Sequence, residues 1–461
     1  MQNLLDDKKL QDLLQDTVLK IKADYAEIRA EQKAVTQIFY RGDAPELIAE
    51  PSSLGFFVRV LINGSWGIST FSNLAQLNKK IDEAIISAKL QGKGNVILAE
   101  TPQTTAIVNY NQKKDFTEVS LKHKVDVVKK YNSILLKGAN NIQSTTSSYA
   151  DQIWTKFFVN SKGSRILQTR PYIRFSYAAI AREGDVIEQD RGSVAHLGGY
   201  EILEGLDANM EKTSKGASEV AKAPKVKSGI YSVVLDPFMA GTFAHEAFGH
   251  FSEADHQYEN PDLLKQMAIG NKLGSDDVNI TDDPSLNGGW GNFIYDDEGT
   301  IAKPQPLMTR GYITGRLHSL ETAGALNEMP NGRARADSFS KAPIPRMSNT
   351  FFVPGKYTKE ELIKSIDKGV FVVSWIAGMT AMEQFTFTGL YGIMIENGKL
   401  TNKVRGVKLS GNVFETLKNI DGVSNDFEQD AGTCGKAGQH MQVGSGGAHV
   451  RIHKVSVGGA E

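Results

Sequence analysis

Between Ser144 and Arg182 the chain is a succession of strand-like stretches: Ser144 to Tyr149, Ile153 to Asn160, Arg165 to Gln168 and Arg174 to Arg182. Turn-forming residues follow at Ser161-Lys162-Gly163-Ser164 and Glu183-Gly184-Asp185. No helical stripe separates these stretches, so the regular βαβ alternation of a parallel, doubly wound sheet is excluded here. The segment GFFVRVLINGSWGIST is a hairpin pattern, two β-branched and aromatic runs around Asn63-Gly64, which tolerate the positive φ of a tight primed turn. Ala26, Ile28 and Ala30 alternate ahead of it, and Val35 to Tyr40 is β-rich. Helical stripes do occur elsewhere. Leu4, Leu5, Leu10, Leu13, Leu14 and Val18 form one, and Leu74, Leu77, Ile81, Ala84, Ile85 and Ala88, capped by Asn73, form a second. A third spans Leu121 to Leu136. The pattern predicts an α+β protein. Asp207 to Gly229 is rich in Lys and Ala and contains Pro224, which places a boundary near residue 225. An N-terminal helix and antiparallel-sheet domain is expected over 1–225, and a Gly-rich, strand-rich C-terminal domain over 226–461.

The C-terminal part opens with YSVVLDPFMAGTFAHEAFGHF, a buried strand running into a helix that carries His245, Glu246 and His250 as H-E-x-x-x-H. Neutral imidazoles suit Zn²⁺, and a carboxylate beside the first ligand can serve as general base toward water. The spacing is a difficulty. Residues i and i+5 stand about 140° apart on a regular α-helix, against about 40° for i and i+4. A shared metal therefore demands a distorted helix, which Gly249 would permit. A third ligand must come from elsewhere: Glu253, Asp255 and His256 are local candidates, and Cys434 in GTCGKAGQ is a distant one. The same histidines would also serve as polar groups at a buried strand–helix corner.

Composition narrows the classes. Lys+Arg number 52 and Asp+Glu 53, a net charge of -1, which gives no support for nucleic-acid binding. The longest apolar run, Gly369 to Met382, is broken by Ser374 and Gly378, so no membrane span is expected. The one cysteine cannot form an intramolecular disulfide, and the N-terminus MQNLLDDKKLQDLLQD lacks the apolar stretch of a signal peptide. Both features fit a cytoplasmic protein.

The segment LDPFMAGTFAHEAFGHFSEAD resembles the signature of the TldD/PmbA (TldE) family, in its metal-bearing TldD branch. NFIYDDEGTIAKPQPLMTRGYITGRLHSLETA, NGRARADSFSKAPIPRMSNTFFVPG, YGIMIENGKLTNKVRGVKLSGN and TCGKAGQHMQVGSGG resemble further blocks of that family, in its order. The resemblance implies a zinc metallopeptidase acting on unstructured or extended peptides, with Zn²⁺ held by His245, His250 and Cys434 and with Glu246 as general base. It also implies a homodimer, or a heterodimer with a TldE/PmbA-like subunit. One departure stands out: where the family usually reads V-P-V-G, this chain has Met441-Gln442-Val443-Gly444. A metal-dependent amidohydrolase and an inactive regulatory subunit are the alternative functions.

Arg333, Arg335 and Arg346 could bind a peptide carboxylate or an oxyanion. Asp296, Asp297 and Glu298 read as a solvated acidic turn rather than a second cation site. GSGG at 444–447 lacks the Lys-Ser/Thr of a phosphate loop. His440, His449 and His453 read as surface or core residues. Phe238, Met239, Phe243 and Phe248 read as core around the motif, or as walls of an apolar pocket.

Overall fold

The computed structural model describes residues 3–381 and 383–458; Met382, which ends the apolar run, lies outside them. Eight strands of the first part form one sheet: β1 (Tyr25–Arg41), β2 (Ala44–Ala49), β3 (Ser52–Ile62), β4 (Ser65–Phe71), β5 (Thr105–Asn109), β6 (Ile142–Asn160), β7 (Arg165–Glu183) and β8 (Val186–Leu197). The order is β4-β3-β1-β6-β7-β5, with β2 beside β1 and β8 beside β7. All neighbours are antiparallel except β5 and β7. The β3–β4 turn has Asn63 at φ 50° and Gly64 at φ 74°, the backbone of a primed turn.

The four short strands expected after Ser144 are instead two 19-residue strands, β6 and β7. Pro171 lies inside β7, where a missing N–H would ordinarily break a ladder. Its position explains the tolerance. Pairing with β5 stops at Thr169 and pairing with β8 starts at Tyr172, so no strand on that side awaits a donor from Pro171.

One face of this sheet buries Ala26, Ile28 and Ala30 against the helices Lys8–Leu19 and Leu77–Leu90. Further along, helices Leu121–Lys137 and Asp207–Lys222 cover Ile38, Tyr149, Ile173 and Phe175. The opposite face is not solvated. Glu27, Arg29, Glu31 and Lys156 are at most 2 % exposed. They meet the acidic turn that the sequence reading left in solvent: Lys156 Nζ lies 2.7 Å from Asp297, and Arg59 bridges Glu27 at 3.0 Å and Glu298 at 2.9 Å. Asp296 turns inward to accept the amides of Glu298, Thr300 and Ala334. Buried charges of this kind persist when each has its partner.

In the second part, strand Gly229–Leu235 lies between antiparallel Val450–Val457 and parallel Lys368–Val373 in a nine-stranded sheet. A six-stranded sheet includes Thr350–Phe352 and Gln439–Gly447 and ends on Glu428–Lys436, the cysteine strand. The main core of this part gathers side chains from both sheets around the motif helix.

Candidate metal centre

Asp236 ends the Gly229–Leu235 strand and caps the motif helix, Pro237–Ala244, by accepting the Met239 amide at 2.8 Å. Pro237 at the first helical position needs no acceptor for an N–H. The helix is apolar all round and almost wholly buried. Phe243 packs edge-on to Phe385 and Phe387, and Met239, Phe243 and Phe248 are core residues. Phe238, by contrast, is half-buried and faces a cavity. At Gly241 an added Cβ would stand 1.9 Å from the amide nitrogen of Gly446, so this helix runs against the backbone of Gln439–Gly447. The GSGG segment therefore serves close packing.

The regular winding ends at Ala244. His245–Gly249 is a π turn, in which the His250 amide donates to the His245 carbonyl. That i to i+5 bond joins the two residues that carry the imidazoles, so the wide turn brings i and i+5 onto one side of the helix. The ring centroids are 5.1 Å apart. Gly249 itself has helical angles, φ -56° and ψ -47°. Its role is spatial, since a Cβ there would lie 2.2 Å from Met347 Sδ.

Cys434 comes in from the cysteine strand with its Sγ 3.4 Å from His250 Nε2. Ligating atoms of His245, His250 and Cys434 all lie within 4.8 Å of one another. A tetrahedral ion with bonds of about 2.0–2.3 Å spaces its ligands roughly 3.3–3.8 Å apart, so the donor set fits such an ion. The electrostatics agree. Burial pushes the Cys434 thiol up, but His245 and then His250 outweigh it and bring it down to about 4. Burial would lower both imidazoles; the Cys434 sulfur at His245 and the Glu253 carboxylate at His250 reverse this and raise them. His245 Nδ1 is buried without a hydrogen-bond partner among the described residues.

Behind this set stands Glu253. It accepts the His250 Nδ1 hydrogen at 2.9 Å, which leaves Nε2 facing Cys434. Lys436 Nζ lies 3.1 Å from the same carboxylate and 2.7 Å from Asp255. Cys434 and Lys436 are two apart on a strand, and both reach the motif segment. His256 lies 3.7 Å from Glu253 and forms a second possible donor group with it and His250. Glu246 is part-exposed, its Oε2 4.0 Å from His250 Nε2.

The arginines take different places. Arg333 is fully buried and donates to Asp282 and to the carbonyls of Asn331, Gly332 and Lys303. Arg346, also fully buried, donates to the Cys434 carbonyl at 2.6 Å, and Arg335 donates to the carbonyls of Met347 and Gln442. Thr433 pairs with Gln442 across the ladder, so the departure from V-P-V-G sits one residue from the cysteine register. The brace formed by Arg346 and Lys436 escaped sequence reasoning; the C-x-K spacing on a strand is the signal that could have found the lysine.

Three family models match the chain: the PmbA/TldA metallopeptidase domain 1 at residues 26–88, its central domain at 114–223 and its C-terminal domain at 228–459. A metalloprotease of Synechocystis is 38% identical over 95% of this chain and 95% of its own. A Saccharolobus solfataricus protein named as a zinc metalloprotease TldD homolog is 28% identical over 95% and 98% of the two chains. The crystal structure of TldE from Thermococcus kodakarensis superposes with a TM-score of 0.78 at 16% identity, covering 98% of this chain and 100% of that one, a likeness of fold. The chain belongs to the PmbA/TldD metallopeptidase family.

Proposed function

We propose that this family member is a zinc-dependent peptidase that hydrolyses unstructured or extended peptides, with His245, His250 and Cys434 as metal ligands and Glu246 as general base. The observation that carries the reading is the convergence of two imidazoles and one acidified thiol within 4.8 Å, beside a part-exposed carboxylate. Zinc, when bound, supplies Lewis acidity toward a peptide carbonyl and toward water. Glu246 accepts the proton of the attacking water at a carboxylate oxygen and returns it to the leaving amine. Glu253 fixes the ring of His250, and Arg346 holds the Cys434 backbone in place.

The outer edge of the cysteine strand supports an extended substrate. Among the described residues the six-stranded sheet ends there, leaving backbone donors and acceptors next to Cys434 for strand addition. The division into domains 1–225 and 226–461, a cytoplasmic location, and assembly as a homodimer or with a TldE/PmbA-like subunit belong to the same reading. No helix among the described residues is long and apolar enough to cross a membrane.

Elemental analysis beside turnover assays on unstructured peptides and small amides tests the proposal. Wild-type protein and Glu246→Gln should each hold about one zinc, and peptide turnover should fall by roughly 10²–10⁴ in the variant. Unchanged turnover in Glu246→Gln would remove that residue from the mechanism, and cleavage of small amides alone would favour the amidohydrolase.

A further inference from the structure

The face of the first sheet that carries the buried ion pairs continues past them into a cavity of about 730 Å³ between the two parts of the chain. Its walls include Arg174 on β7, Arg191 on β8, Phe238 on the motif helix, Trp375, and Asp430 and Thr433 on the cysteine strand. Gly432, which also lines the cavity, lies two residues before Cys434 on the same side of its strand, and Phe238 lies seven residues before His245, on the order of 10 Å along a helix. The cavity is therefore within about three residues of extended peptide from the candidate metal centre.

Two guanidinium groups set its character. Arg174 donates from Nε to Ser176 Oγ at 2.9 Å, and neither of its terminal nitrogens has a partner among the described residues. Arg191 lies 4.5 Å over the Trp375 ring and donates to the Trp375 carbonyl. Asp190, Asp236 and Asp430 line the cavity too, but Asp430 accepts the Trp375 indole N–H at 3.1 Å, Asp190 accepts the Arg191 amide, Asp236 accepts the amides of Met239 and Ser374, and none of them makes an ion pair with either arginine. Burial pulls both guanidinium groups below their ordinary value, with Asp430 opposing it. Two partly buried forks that form no ion pair, against an aromatic wall, match the geometry of a bound carboxylate.

We infer that this cavity is a substrate subsite in which Arg174, with Arg191 beside it, binds a carboxylate of the peptide about three residues or fewer from the scissile bond. The inference rests on the peptidase reading for the identity of its ligand. The carboxylate is either the peptide's C-terminus or an acidic side chain, and the chemistry of recognition is the same.

Fluorescence anisotropy on zinc-loaded Glu246→Gln protein tests it, because binding is then read without turnover. Three forms of one labelled, unstructured hexapeptide are compared: the free acid, its C-terminal amide, and the amide carrying one glutamate. At least one carboxylate-bearing form should bind tenfold or more tightly than the neutral amide, and adding Arg174→Gln should bring that ratio close to one. A preference for the free acid assigns the C-terminus; a preference for the glutamate peptide assigns a side chain. Equal binding of all three forms overturns the inference. So does a preference that survives Arg174→Gln, or a loss in that variant shared equally by all three. If wild-type protein cleaves no peptide while the Arg174-dependent preference persists, the peptidase reading fails and the subsite stands.

Discussion

Glu253 is fully buried, and burial alone would push its carboxyl up; Lys436 and then His250 outweigh this and hold it well below the usual carboxylate range. A charged acceptor behind His250 keeps that ring oriented and strengthens Nε2 as a donor. Glu253→Gln keeps the shape and removes the charge, so zinc affinity should fall roughly 10–100-fold. Competition with a chromophoric chelator measures it, and an unchanged affinity would reduce Glu253 to a packing role. Three local residues had stood as candidates for the third ligand. The structure puts Glu253 behind His250 and Asp255 on Lys436, while Cys434 enters from a strand some 180 positions away. Spacing in the sequence could not separate these cases, because the decisive contact is tertiary.

Among the elements, the motif helix is held by what it lacks. Gly241 meets backbone and Gly249 meets the flexible Met347 side chain. Both alanine variants should destabilise the protein, Gly249→Ala by about 1–3 kcal/mol and Gly241→Ala by more, since a main chain cannot step aside. Urea midpoints decide the order, and a larger loss at Gly249 would contradict it. The helix cap adds a pH signature. Burial raises Asp236 to about 7, while the amides of Met239 and Ser374 pull it back and Glu428 and Asp430 push it up. The folded value lies above that of the unfolded chain. The stability contribution is therefore full below about pH 4 and is lost as pH rises toward 7. Relative to Asp236→Asn, wild-type protein should lose stability between pH 4 and 7 and stay level above about pH 8; urea titrations at several pH values read this. Hairpin, helical stripes and the need for a distorted turn were all readable in the sequence. The fused strands β6 and β7 were not, because Pro171 breaks a strand only if a neighbour needs its N–H, and the neighbours are invisible in one dimension.

At the scale of the whole molecule, the two parts are joined through buried ion pairs. Alternation in β1 announced an apolar face in Ala26, Ile28 and Ala30, yet nothing local showed that Glu27, Arg29 and Glu31 would be covered as well. Lys156→Met leaves Asp297 buried without its cation and should destabilise the protein by about 3–5 kcal/mol; adding Asp297→Asn should recover much of the loss. Chemical denaturation of the single and double variants reports the coupling, and additive losses would argue against it. The π turn carries a consequence for biosynthesis. A nascent chain that has emerged only through residue 260 lacks Met347, Gly446 and Cys434, so its motif is free to rewind into an ordinary helix with the imidazoles turned roughly 140° apart. On the proposed zinc reading, ion capture waits until translation has passed residue 434, and a ribosomal product truncated before it would leave zinc in the medium.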